Sequence, residues 1–239
     1  MTPPKAAAPR GVAVPSAGHA DGSIRQPEAP QALRRYDQEV EPDTLAVTLG
    51  QVVSAASYAL QRQIQAEPEL AGMGTTLVAM LISGTAAALA NVGDSRAYLV
   101  HGQGPQHGQT IRITEDHVYQ RLVADAADVP NPPERLTRFL VGRADGRPPD
   151  ITLLTLKPGD RFLLCSDGLS SYVPEDLLHA VLASAPTPAE AVEGLSTAAF
   201  DHGGPDNSRW LSSTSMTPTD PECLELRNGY RLQRRSVSW

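Results

Sequence analysis

Apolar residues at 45, 49, 53, 56, 60 and 64 fall on one face of a helix, and residues 43–66 are read as that helix. Asp43, after Pro42, is the expected N-cap, and Pro68 the stop. The period then changes. Residues 76–82 (TLVAMLI), 86–92 (AALANV with its leading Ala) and 96–100 (RAYLV) are apolar runs of strand length. Ser83-Gly84-Thr85 and Gly93-Asp94-Ser95 separate them, so the three are expected to form a meander. Residues 110–114 alternate as a fourth strand. A short helix is expected near 116–126, then a Pro-rich loop to Pro149. Two more strands, 151–156 and 161–165, flank the turn Lys157-Pro158-Gly159-Asp160. Helices are expected at 174–185 and 188–201.

Both ends break the pattern. Residues 1–31 read as a Pro/Ala-rich disordered leader without the compact apolar stretch of a signal peptide. Residues 32–207 read as one domain. Residues 208–239 read as a Ser/Thr/Pro-rich, basic tail, with a hairpin around Asn228-Gly229 as the alternative.

Composition narrows the function. Hydrophobic residues make up 41% of the 239 residues, enough for a core, while 21 prolines and 5% aromatics fit loose segments. A net charge of -7 argues against binding nucleic acid or an anionic membrane. No apolar run reaches the roughly 20 residues of a membrane helix. Cys165 and Cys223 lie far apart and form neither a disulfide framework nor a metal motif. The expected location is the cytoplasm.

Four segments place polar groups at strand or helix ends: Gly72-Met-Gly-Thr-Thr76, Asn91-Val-Gly-Asp-Ser-Arg96, Leu163-Leu-Cys-Ser-Asp-Gly-Leu169 and Gly203-Gly-Pro-Asp-Asn207. Each has an ordinary reading as a turn or helix exit. Asp167 is the sharpest of them. A carboxylate at the end of a buried strand is costly unless it is paired, hydrogen-bonded or cation-bound.

In this order, with TEDH (114–117) between the second and third, the segments resemble the PPM-type metal-dependent protein phosphatases (protein phosphatase 2C-like, bacterial type). The resemblance runs from about residue 45 to 207. It implies an α+β fold: a four-layer α/β/β/α sandwich with two central, mostly antiparallel sheets, here incomplete at both ends. It implies dephosphorylation of phosphoserine and phosphothreonine in proteins by a metal-activated water, with two Mn²⁺ or Mg²⁺ ions. By match to the family motifs, Asp167 and Asp206 are the implied catalytic metal ligands, and Asp94 is the implied ligand of a third, weaker metal. Asp116 is read as a helix cap, His117 as a structural polar residue and 124–149 as the substrate-access flap. The implied partners are phosphorylated Ser/Thr proteins and a bacterial serine/threonine kinase.

The chain departs from the family at its N-terminal motifs. Aligning Gly18-His19-Ala20 with the family's glycine-histidine motif puts Val14 at the bridging aspartate and Pro15 at the metal-binding glycine. The phosphate-clamping arginine has no match, and no Val-rich strand follows Asn207. Three readings follow: an active phosphatase, a pseudophosphatase that binds a phosphoprotein or kinase, and a truncated or frameshifted gene product.

Overall fold

The computed structural model describes residues 10–18, 40–67, 74–118, 140, 148–204, 210–214 and 227–228. Its strands are β1 (Arg10–Gly18), β2 (Gly74–Ser83), β3 (Ala86–Val92), β4 (Arg96–Val100), β5 (Thr110–Arg112), β6 (Asp150–Thr155), β7 (Arg161–Cys165), β8 (Trp210–Thr214) and β9 (Arg227–Asn228). Its helices are α1 (Leu45–Ala66), α2 (Asp167–Ser170), α3 (Glu175–Ser184) and α4 (Pro188–Asp201).

Two antiparallel sheets result. Sheet A runs β1-β2-β3-β6 and sheet B runs β5-β4-β7-β8-β9. Period-2 alternation explains how they stack. Leu77, Ala79 and Leu81 of β2 point toward α1 and join Leu45, Leu49, Val53 and Leu60. Their neighbours Val78, Met80 and Ile82 point the other way, into a core shared with Ala97, Leu99, Phe162 and Leu164 of sheet B. The opposite face of sheet B carries Tyr98, Val100, Leu163 and Cys165 onto α2, α3 and α4 through Leu169, Leu178 and Leu195. Three cores thus separate four layers, α/β/β/α, as the resemblance implied. Strands buried on both faces read as continuous apolar runs, which is why these stretches do not alternate in sequence.

Several expectations need correction. The 83–95 region does not continue as a meander: β2 and β3 pair, but β4 crosses to sheet B, between β5 and β7. Gly93, at φ 111, lets the chain leave β3 at that point. Asp43 does not cap α1. It lies in a 3₁₀ turn, Pro42–Thr44, and Thr44 occupies the N-cap position. Residues 116–118 are not helical, because 113–117 is held extended along β3 and β4; the rest of that expected helix lies outside the described residues. The stretch read as a leader contributes β1, which pairs with β2 from Arg10↔Ile82 to Gly18↔Gly74. The stretch read as a tail contributes β8, paired with β7, and β9, paired with β8. In both cases the unsatisfied backbone groups of an apolar strand outweigh weak local propensity.

Candidate metal centre

The two sheets bring the loops 93–95, 113–117 and 166–168 to one end of the sandwich. β4 and β7 pair from Val100↔Arg161 to Arg96↔Cys165. Two residues beyond Arg96 is Asp94, and two beyond Cys165 is Asp167. The same register therefore sets the two aspartates opposite each other at the mouth of the strand pair. Asp167 begins α2 and bonds the Gly168 N–H through Oδ1 at 3.0 Å. Burial pushes the Asp94 carboxyl up to about 6, and the charge of Asp167 adds to the rise.

The turn that carries Asp94 is tightly fixed. Thr76 and Ser95 hydroxyls share a buried hydrogen bond of 2.8 Å. The Gly93 N–H donates to Nδ1 of buried His117 at 3.0 Å, and the His117 N–H donates to the Gly93 carbonyl at 2.9 Å. Since Nδ1 accepts, Nε2 carries the proton and donates to Asp150 Oδ2 at 2.8 Å. His117 is thus a structural polar residue. A Cβ on Gly93 would sit 2.4 Å from the Thr76 Cγ2.

The neighbouring residues repeat the pattern. The Ala97 N–H donates to the Thr114 hydroxyl at 3.0 Å, and Asn91 Nδ2 donates to the Glu115 carbonyl at 2.9 Å. Asp116 is not a helix cap. It receives Arg96 Nε at 3.2 Å and Nη2 at 2.7 Å, and pairs with Arg112 on its other side. Burial works against the Arg96 charge and is the largest single influence, but the hydrogen bonds and charges of Asp116 and Tyr98 together outweigh it and raise the guanidinium above its ordinary value. Sequence reading singled out the aspartates and missed that all four residues of TEDH lace this loop to β3 and β4. The signal was there, as four polar residues in succession beside an apolar strand.

Asp94 and Asp167 are brought together. Asp206 and nearly all of the expected flap, 124–149, lie outside the described residues. β1, of sequence RGVAVPSAG, contains no aspartate or glutamate, and its register sets Val14 opposite Val78 and Pro15 opposite Leu77. Among the described residues no group of three or more His, Cys, Asp or Glu side chains is placed to hold a metal. The pair Asp94 and Asp167 is a hard oxygen donor set whose mutual repulsion a divalent cation would relieve, so these residues fit such an ion as part of a larger set.

The class of fold defined here is a four-layer α/β/β/α sandwich with two opposed aspartates at one end. Residues 25–199 match the family described as protein phosphatase 2C, and the chain belongs to that family. It is 36% identical over 197 residues to the serine/threonine protein phosphatase PstP of Mycobacterium tuberculosis, covering 80% of this chain and 37% of that protein. The chain thus spans little more than a third of PstP. It is 30% identical over 200 residues to the serine/threonine phosphatase stp of Listeria monocytogenes, covering 80% of this chain and 77% of that one. The crystal structure of the PstP catalytic domain in complex with two manganese ions superposes with a TM-score of 0.72 at 32% identity, covering 87% of this chain and 88% of that chain. Among the described residues, no helix is long and apolar enough to cross a membrane.

Proposed function

We propose that the chain is a metal-dependent phosphatase acting on phosphoserine and phosphothreonine in proteins. The observation that carries this reading is the opposition of Asp94 and Asp167 at the end of a protein phosphatase 2C sandwich, with the Asp94 carboxyl pushed up by burial and by its neighbour. Asp167 and Asp94 are the proposed ligands on the described chain, and Asp206 is the proposed third. Bound Mn²⁺ or Mg²⁺ would neutralise phosphoryl charge and acidify water. The protein's own part is to hold the carboxylates: His117 fixes the turn before Asp94, and α2 presents Asp167. The manganese ions of the PstP structure and the names of the relatives support this reading. The proposed partners are phosphorylated proteins and the serine/threonine kinase whose action is reversed. The proposed compartment is the cytoplasm.

The test is Mn²⁺ calorimetry on the purified chain, beside hydrolysis of a phosphothreonine peptide, in wild type, Asp167→Ala and Asp206→Ala. The expected result is Mn²⁺-dependent turnover that falls at least about 100-fold in both variants. A folded chain that binds the peptide but releases no phosphate at millimolar Mn²⁺ would overturn the enzyme reading. It would support a binding module instead, which the lack of any Asp or Glu in β1 favours.

A further inference from the structure

Asp94 and Asp167 stand on separate turns, and a strand pair alone does not fix two turns beyond its last rung. One side chain, from the strand that follows the first turn, reaches the end of the helix that the second turn begins. Arg96 lies two residues after Asp94, opposite Cys165, which lies two residues before Asp167. Its guanidinium grips Asp116 through Nε, at 3.2 Å from each carboxylate oxygen, and through Nη2 at 2.7 Å. Its Nη1 turns toward the Ser170 carbonyl, a long contact of 3.5 Å at the C-terminal end of α2. Asp116 is anchored in turn by Arg112, which also donates to the Thr114 carbonyl at 2.9 Å. The planar fork of arginine can serve Asp116 and Ser170 at once, whereas the single ammonium of lysine cannot reproduce that geometry.

We propose that Arg96, held by Asp116, is a positioning residue that locks the Asp94 turn and the Asp167 helix into one rigid unit. The pair spans three segments: the start of β4, the loop 113–117 and α2. Its side chains are largely shielded from water, with 23% of Arg96 and 12% of Asp116 exposed, so screening by salt is weak. Removing the fork would let the two turns move independently. Under the phosphatase reading, on which this consequence rests, the carboxylates would then pay more ordering entropy to share a cation.

The test uses the full chain and reads the lock without metal. Amide hydrogen exchange is measured at 93–95 and 166–168 in metal-free wild type, Arg96→Lys, Asp116→Asn, the double variant and Arg161→Lys. Arg161 is a control on the same sheet. It donates to the Leu182 carbonyl at 2.7 Å and to the Ala185 carbonyl at the end of α3, so its loss weakens the fold at the opposite end of β7. The expected result is that exchange rises about tenfold in both turns together in Arg96→Lys and in Asp116→Asn, with no further rise in the double variant. Arg161→Lys is expected to lower the thermal midpoint without that local change. Mn²⁺ affinity, measured alongside, is expected to fall about tenfold in Arg96→Lys although its charge is kept. Unchanged exchange in Arg96→Lys, or a rise in one turn only, would overturn the proposal. A joint rise in the variants, beside a wild type that binds no Mn²⁺, would support the lock and overturn the phosphatase reading, so the two fail separately.

Discussion

Asp94 and Asp167 face each other because β4 and β7 are in register, two residues past the pair Arg96↔Cys165. Both carboxylates stand just beyond the last paired rung, where burial of Asp94 and then the charge of Asp167 push the Asp94 carboxyl up. The fold therefore stores a repulsion at this end of the sandwich.

The first prediction is a pH dependence of stability in the metal-free chain. The Asp94 carboxyl rises from its ordinary 3.8 to about 6 on folding. The folded state then binds the proton more tightly than the unfolded one. Its contribution to stability is fully present below about pH 4 and is lost as pH rises through about 6. Asp94→Asn, neutral throughout, is expected to remove this component, so wild type and variant converge at low pH and the variant is the more stable above pH 6. Urea midpoints between pH 4 and 8 check it; parallel pH curves would count against it.

Gly93→Ala tests the turn itself. At φ 111 an L side chain is strained, and its Cβ would lie 2.4 Å from the Thr76 Cγ2 and 3.2 Å from the Thr76 Cα. Thr76 is backbone-paired in β2 and cannot retreat freely. The expected loss is about 3 kcal/mol, strain and overlap together, read as a lower urea midpoint with an unchanged m-value.

The buried histidine should respond to the shape of its replacement. In His117→Ala the Gly93 N–H loses its acceptor, at a cost of about 1–3 kcal/mol. In His117→Asn the amide oxygen can stand near the place of Nδ1, so the expected cost is about half of that. Asp150→Ala removes the partner at the outer end, whose side chain is 55% exposed, and is expected to cost under about 1 kcal/mol. Equilibrium unfolding of the three variants gives the order, and equal losses for Ala and Asn would refute the role assigned to Nδ1.

Cys165 should be chemically silent in the native chain. It has no exposed surface, and burial pushes its thiol up to about 12. In a Cys223→Ser background, labelling by iodoacetamide is expected to follow global unfolding and to accelerate with urea as the unfolded fraction does. Rapid native-state labelling would show that the core between sheet B and its helices opens locally.

Much of this architecture was legible in the sequence. β3, β4, β7 and α4 fall at the residues their periodicity indicates, because each has a full apolar face and a Gly, Pro or polar boundary. What could not be read locally was sheet membership. Nothing between Ser95 and Val100 states whether β4 stays beside β3 or pairs with β7, since both faces of β4 are apolar in either arrangement. β1 and β8 escaped for the opposite reason: Pro15 and the serines of 210–214 lower strand propensity, and only an unpaired neighbour recruits them. At the site, Asp94 and Asp167 were legible as carboxylates at strand ends. The support from Arg96, Asp116 and His117 was not, because a polar run after a short strand looks the same whether it faces solvent or a neighbouring turn.

The strand β2 is apolar at every position from Leu77 to Ile82, with near-equal bulk delivered to both cores. A half-buried strand resists slippage because a one-residue shift throws its apolar set into water. β2 has no such memory: slipped by one, it would still present hydrocarbon to both sides. Its alignment must be stored elsewhere, in the two-residue bend with Gly84 at φ 58 and in the Thr76–Ser95 hydroxyl contact at the other end. The interior of this protein is thus permissive about sequence and about sliding, and the polar contacts at its two rims act as the ruler against which the strands are measured.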